Sequence, residues 1–291
     1  MIALAAPARV GAIVVGARTV GWTEWGPVDG TPIVFCTGAG MTSAMGFGAD
    51  VVEALGVRLI CVDRPGLGRS APDPDKDLGS VATDVGSVLG QLGVDRAGAV
   101  GFSQGAPFAF ALAGTGRISA LAIVAGTDEL AHPAMRPLVA PDMLRFLDAI
   151  AADARAFEAS FATQVDAAGL WSLILAMSGP EDRAIYQEAA FAAAYERTLV
   201  DGFAQGPEGY VRDFVLASQR WSTPPEAISV PVTLWYGRRD TSPVHSPDHG
   251  QTLASRCPHA RLRILEAEGA SLLWTQARAI LEDLVAATVR P

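Results

Sequence analysis

Ser103 stands at the centre of Gly101-Phe102-Ser103-Gln104-Gly105, a serine with glycine two places to either side. The pattern is G-x-S-x-G, and its chemistry is nucleophilic attack by a hydroxyl held on a tight strand-to-helix turn. Glycine is required on both sides because the backbone there is cramped. Ala97-Gly98-Ala99-Val100 precedes the turn as a small apolar strand, and the Ala- and Phe-rich stretch Ala106 to Ala113 follows it as a helix. That helix aims its N-terminal amides at the reacting centre, where an oxyanion would form. A serine hydroxyl is a weak nucleophile unaided, so it needs a base to take its proton.

The elements that must hold such a turn are legible along the chain. Short apolar runs predict strands at Val10–Val15, Thr19–Glu24, Ile33–Cys36, Arg58–Val62, Ala97–Gly101, Ala120–Ala125, Val232–Tyr236 and Leu262–Leu265. Between them the spacing predicts helices at Ala44–Leu55, Val81–Leu92, Gln104–Ala113, Ser246–Ser255 and Leu272–Thr288. Strands alternating with helices predict an α/β fold with a mostly parallel sheet of eight strands flanked by helices. From Asp128 to Pro225 the alternation stops and only helices are predicted, at Pro141–Phe161, Gln164–Met177, Glu181–Phe203 and Pro207–Trp221. This divides the chain into a core of residues 1–127 and 226–291 and a helical cap of residues 128–225. A cap inserted after the sixth strand must lie over the sheet's carboxyl edge. Some of its aromatics, Trp171, Phe146 and Tyr186 among them, then face the serine as walls of a substrate pocket.

Composition excludes several functions. The 291 residues are 50% hydrophobic and 18% charged, which is enough apolar material for a sizeable core. The net charge of −9 is spread along the chain, and no Lys/Arg cluster exceeds short pairs such as Arg238-Arg239, so nucleic acid is not an expected partner. No apolar run is long enough to span a membrane, and Met1 to Val15 lacks the paired basic residues of a signal peptide. A cytoplasmic protein, monomeric or homodimeric, is expected. Cys36, Cys61 and Cys257 are too few and too scattered for a disulfide framework or a zinc site, and they read as buried free thiols. No metal or other cofactor is expected.

Four segments together give the chain a resemblance to the α/β-hydrolases that carry a helical cap. They are Val20 to Gly26 with Asp29-Gly30-Thr31-Pro32, the loop Asp63-Arg64-Pro65-Gly66-Leu67-Gly68-Arg69-Ser70, the turn Gly101 to Gly105, and Gly237-Arg238-Arg239-Asp240. The loop matches the family's D-x-x-G-x-G-x-S. The resemblance implies that Ser103 is the nucleophile and that the backbone N–H of Gln104 is one oxyanion donor. The second donor would come from Thr37-Gly38-Ala39-Gly40, with Gly38 and Ala39 as its candidates; many relatives begin that turn with His-Gly. Asp240 would be the acid, with Asp128 after the sixth strand as the competing one. Arg64 and Arg69 could help a charged substrate group, although turn structure and solvation explain them equally well.

The same resemblance places the base in a short loop after the last strand, and there the chain reads Glu266-Ala267-Glu268-Gly269-Ala270-Ser271. Ala270 falls where the imidazole belongs. Three readings follow: a His-to-Ala replacement made to trap a ligand, a natural protein whose base comes from elsewhere, or a loss of hydrolysis. His259 precedes the eighth strand at the wrong edge, and His249 reads as a surface residue. His132, at the opening of the cap, and His245, five residues after Asp240, are the alternative bases. Losing a triad histidine costs roughly a million-fold in turnover, and about a thousand- to ten-thousand-fold over water remains from binding and the oxyanion hole. The expected function is therefore serine-dependent hydrolysis of an ester, thioester, amide or C–C bond in an apolar small molecule, impaired unless another base acts. The alternative is a non-hydrolytic protein that binds an apolar ligand, or steers a cyclisation, elimination or rearrangement in the same pocket. A purely structural protein on the same fold is the weakest reading, because it would not require Ser103 and Asp240 together.

Overall fold

A computed structural model describes residues 2–288. β1 (Arg9–Val15) and β2 (Arg18–Trp25) form an antiparallel hairpin turned at Gly16, whose φ of +60° suits a residue without a side chain. β3 (Thr31–Cys36), β4 (Val57–Val62), α1 (Leu78–Gln91), β5 (Ala97–Phe102), α2 (Ala106–Ala113) and β6 (Ile118–Val124) follow. Six helices then intervene: α3 (Pro141–Ala152), α4 (Ala154–Ala162), α5 (Ala167–Met177), α6 (Pro180–Tyr186), α7 (Ala189–Gly202) and α8 (Glu208–Ser218). The chain closes with β7 (Val232–Gly237), α9 (Gln251–Arg256), β8 (Ala260–Leu265), α10 (Leu272–Thr275) and α11 (Ala277–Thr288).

The eight strands form one sheet in the order β1-β2-β4-β3-β5-β6-β7-β8. β2 runs antiparallel to β1 and β4, and every other pairing is parallel. β4 and β5 are buried along their whole length, because helices cover both faces of the sheet. α1, α2 and α9 pack into one core layer, and α10 and α11 into the other. β3 sends its continuation to β4 on one side and pairs with β5 on the other. Chains leaving its carboxyl end thus diverge and open a crevice, the usual place for a ligand in such sheets.

The eight predicted strands are all present, and the helical insertion follows β6. Several helices differ from expectation. Ala44–Leu55 is a series of turns, since Gly48 at φ +67° cannot continue a helix and Gly46 lies against the Trp25 ring. Pro141–Phe161 breaks at Asp153, which is extended at φ −158° and caps α4 through the Ala156 N–H at 2.9 Å. Glu181–Phe203 breaks between Tyr186 and Ala189. Ser246–Ser255 shrinks to α9, because His249 and Gly250 both have positive φ.

Two aromatic clusters organise the insertion. Phe146, Phe157, Phe161 and Phe214 gather α3, α4 and α8. Tyr186, Phe191 and Tyr195 of α6 and α7 surround Trp274 of α10, with the Phe191–Trp274 centroids 4.9 Å apart and edge-on. The second cluster is one of the contacts that join the insertion to the core, through α10.

Candidate active site

Ser103 occupies a left-handed conformation, φ +50°, directly after β5. A non-glycine residue is strained there, and its surroundings explain why it stays. A Cβ on Gly105 would lie 2.1 Å from the Cys36 carbonyl, and one on Gly101 would press on Ala106 and Ala109 of α2. The two glycines let the turn sink between β3 and α2, and the serine side chain is lifted towards the crevice. The Thr127 N–H donates to the Ser103 carbonyl at 3.1 Å and ties the turn to the end of β6.

The imidazole beside Ser103 belongs to His245. Its Nε2 is 2.8 Å from Ser103 Oγ, and its Nδ1 is 2.7 Å from Asp240 Oδ2. All three side chains are buried. A carboxylate can only accept, so Nδ1 carries the proton and Nε2 presents its lone pair to the Ser103 hydroxyl. This chain of three groups can draw a proton from the hydroxyl and hold the imidazolium that results.

One short loop carries both the carboxylate and the imidazole. The Asp240 N–H donates to the Gly237 carbonyl, the Ser242 N–H to Asp240 Oδ1 and the His245 N–H to the Ser242 carbonyl. These bonds fold the segment after β7 back on itself, so that residues five apart in sequence face each other. Beyond the turn, the Ser246 N–H donates to the Gly126 carbonyl at 3.1 Å, fixing the histidine against the end of β6.

Asp128, the competing acid, has no hydrogen bond to the imidazole. Its Oδ1 accepts the Glu129 N–H and its Oδ2 the Ser246 hydroxyl, so it holds the residue after His245 instead. Burial raises its pKa to about 6. His132 does not line the cavity. Its Nδ1 accepts the Ala134 N–H in the half-buried turn after β6.

Ala270 does line the cavity, at the position where the family pattern predicted histidine. Contrary to that pattern, the imidazole next to Ser103 arrives on the loop after β7, not on the loop after β8. The β8 loop is occupied otherwise. Asp182 of α6 accepts the N–H groups of Ala270 at 3.0 Å and Ser271 at 2.7 Å. A Cβ on Gly269 would collide with that carboxylate. Asp182 was not legible as a site residue, because it lies in a helix far from any motif and its partners are backbone amides.

Ala39 and Gln104 both line the cavity beside Ser103. Gln104 lies in the helical turn Ser103–Gly105, where the first N–H groups have no intrahelical acceptor. Gly38 is not in the lining, and Phe102 and Met41 crowd the place where a Cβ on it would lie.

The cavity has a volume of about 360 Å³ and runs from Ser103 up between α3, α5 and α8. Phe146, Phe161, Phe214, Leu170 and Ile174 form its apolar walls. Phe146 and Tyr186 line it, and Trp171 does not. Trp171 packs behind the wall, 5.2 Å from Tyr195 between ring centroids, because α5 turns Leu170 inward at that level. Among the described residues no arginine or lysine lines the cavity, and neither Arg64 nor Arg69 borders it. The thiols of Cys36, Cys61 and Cys257 are buried and unpaired, and burial raises all three pKa values.

Comparison with known proteins agrees with this architecture. The family described as the alpha/beta hydrolase fold matches residues 31–277. An enol-lactonase from Burkholderia xenovorans is similar over 96% of this chain and 100% of its own, at 19% identity and a TM-score of 0.71. An esterase from a Rhodococcus species is similar over 97% and 98%, at 20% identity and a TM-score of 0.62. An esterase from Exiguobacterium antarcticum covers all of both chains at 16% identity and a TM-score of 0.64. At these identities the likeness is one of fold.

Proposed function

We propose, since the chain belongs to the α/β-hydrolase fold family, that it is a serine hydrolase acting on an ester-like bond of a neutral, apolar small molecule. The observation that carries this reading is the unbroken Ser103–His245–Asp240 hydrogen-bond chain. His245 takes the Ser103 proton as the oxygen attacks the carbonyl carbon, and Asp240 stabilises the imidazolium. The N–H groups of Gln104 and Ala39 receive the oxyanion. His245 then returns the proton to the leaving group, and water, activated by the same imidazole, releases the acyl group from Ser103. The base does not have to come from position 270, so no His-to-Ala replacement and no loss of activity need be invoked. The non-hydrolytic reading rested on the lack of an imidazole beside Ser103, and His245 supplies one.

The cavity lining supports the substrate class. Among the described residues it offers apolar walls and no arginine or lysine, and its carboxylates Asp142, Asp182 and Asp240 are already engaged by Arg145, by two amides and by His245. A substrate carboxylate would enter with nothing to pair it. The test is acylation with p-nitrophenyl hexanoate. One equivalent of p-nitrophenolate per chain should appear in a burst, and Ser103→Ala should abolish it. Wild-type protein that is silent towards activated esters and fluorophosphonate probes would overturn the proposal.

A further inference from the structure

A second buried group of charges lies directly behind the catalytic turn, formed by Arg64, Lys76 and Asp213, each less than 5% exposed. Arg64 Nε donates to Asp213 Oδ2 at 2.7 Å, and Lys76 Nζ lies 2.5 Å from Asp213 Oδ1. Lys76 also donates to the carbonyls of Pro65 and Gly209. One carboxylate thus faces two cations, and Lys76 is already matched to it. An ion pair alone would not need Arg64.

The rest of the Arg64 fork goes elsewhere. Nη1 donates to the Thr37 carbonyl at 2.7 Å and to Thr37 Oγ1 at 3.0 Å, and Nη2 donates to the Gly38 carbonyl at 2.8 Å. The guanidinium is stacked 4.8 Å from the Phe108 ring of α2, the helix that follows the nucleophile. The Gly38 carbonyl and the Ala39 N–H belong to one planar trans peptide and point in opposite directions. Arg64 grips the carbonyl end from behind, and Ala39 borders the cavity in front. Charge on that carbonyl also polarises the amide, which makes its N–H a stronger donor.

We propose that Arg64 is the positioning residue of the oxyanion hole. It fixes and polarises the Gly38–Ala39 peptide, and Asp213 of α8 holds its fork in place. The helical insertion therefore contributes to transition-state stabilisation as well as to the cavity walls. This inference rests on the serine-hydrolase reading.

The test separates kcat from KM. In Arg64→Gln, kcat for p-nitrophenyl hexanoate should fall by at least about 30-fold, approaching the hundred-fold or more that follows loss of a whole donor, while KM stays within about threefold. Affinity for a trifluoromethyl ketone, which adds to serine as a tetrahedral oxyanion, should fall in parallel. Affinity for the matching alcohol, which forms no oxyanion, should not change. Should Arg64→Gln not fold, Arg64→Lys keeps the buried charge but cannot span both carbonyls, and the same split should appear at smaller amplitude. A folded variant with unchanged kcat and ketone affinity would overturn the inference while leaving the hydrolase reading intact, as would equal weakening of ketone and alcohol. Failure of the underlying reading shows in the wild type alone, as no burst and no ketone adduct.

Discussion

The position of one histidine decides how Ser103 reads. His245 stands on the loop that also carries Asp240, and the two bonds at 2.8 and 2.7 Å join it to serine and acid. Asp128, one turn away, holds that loop through Ser246 and has a pKa raised to about 6 by burial. Its folded value lies above the ordinary 3.8, so the folded protein keeps a proton that the unfolded chain has lost. Stability due to this group should therefore fall as pH rises from about 4 to 6, by up to about 3 kcal/mol. Asp63 and Asp182, also raised by burial, act in the same direction. Asp128→Asn should flatten part of that slope, as read from urea unfolding at pH 4, 5 and 6; an unchanged slope would remove Asp128 from the account. At this scale the serine and the carboxylate of that hydrogen-bonded chain were legible as candidates, because glycine spacing and strand ends mark them. The imidazole was only one candidate among several, because nothing in the spacing shows that the loop after Asp240 folds back on itself.

At the scale of elements, strands were easier to read than helices. The parallel strands are short and mostly apolar, and each sits near its expected bounds. Ala44–Leu55 has helical composition, but two glycines and the approach of Trp25 turn it into successive bends. Asp182 shows what sequence could not supply. It joins α6 to the loop after β8 by accepting two backbone amides, a contact between segments 88 residues apart. Asp182→Ala leaves both buried N–H groups unpaired and should cost about 2–4 kcal/mol, seen as a lower urea midpoint. Asp182→Asn keeps one acceptor and should cost less. Equal stability of both variants and the wild type would show that this joint bears no weight.

Across the whole molecule, the Ser103–His245–Asp240 groups stand on loops at the sheet's carboxyl edge and most of the cavity walls come from the insertion, with Trp274 and the Arg64–Asp213 pair tying the two together. The cavity lining, which among the described residues holds no arginine or lysine, predicts selectivity. A neutral hexanoate ester should be turned over with kcat/KM at least about 100-fold above its ω-carboxylate analogue, since burying an unpaired charge costs several kcal/mol. Comparable rates for both would contradict the proposed substrate class. The central claim is that the base lies at position 245 and that position 270 needs none. It is tested most directly by acylation rates of His245→Ala and Ala270→His beside the wild type. His245→Ala should lose about ten-thousand- to a million-fold in acylation, and Ala270→His should gain nothing. A His245→Ala variant that still acylates at the wild-type rate, or an Ala270→His variant that gains orders of magnitude, would contradict it.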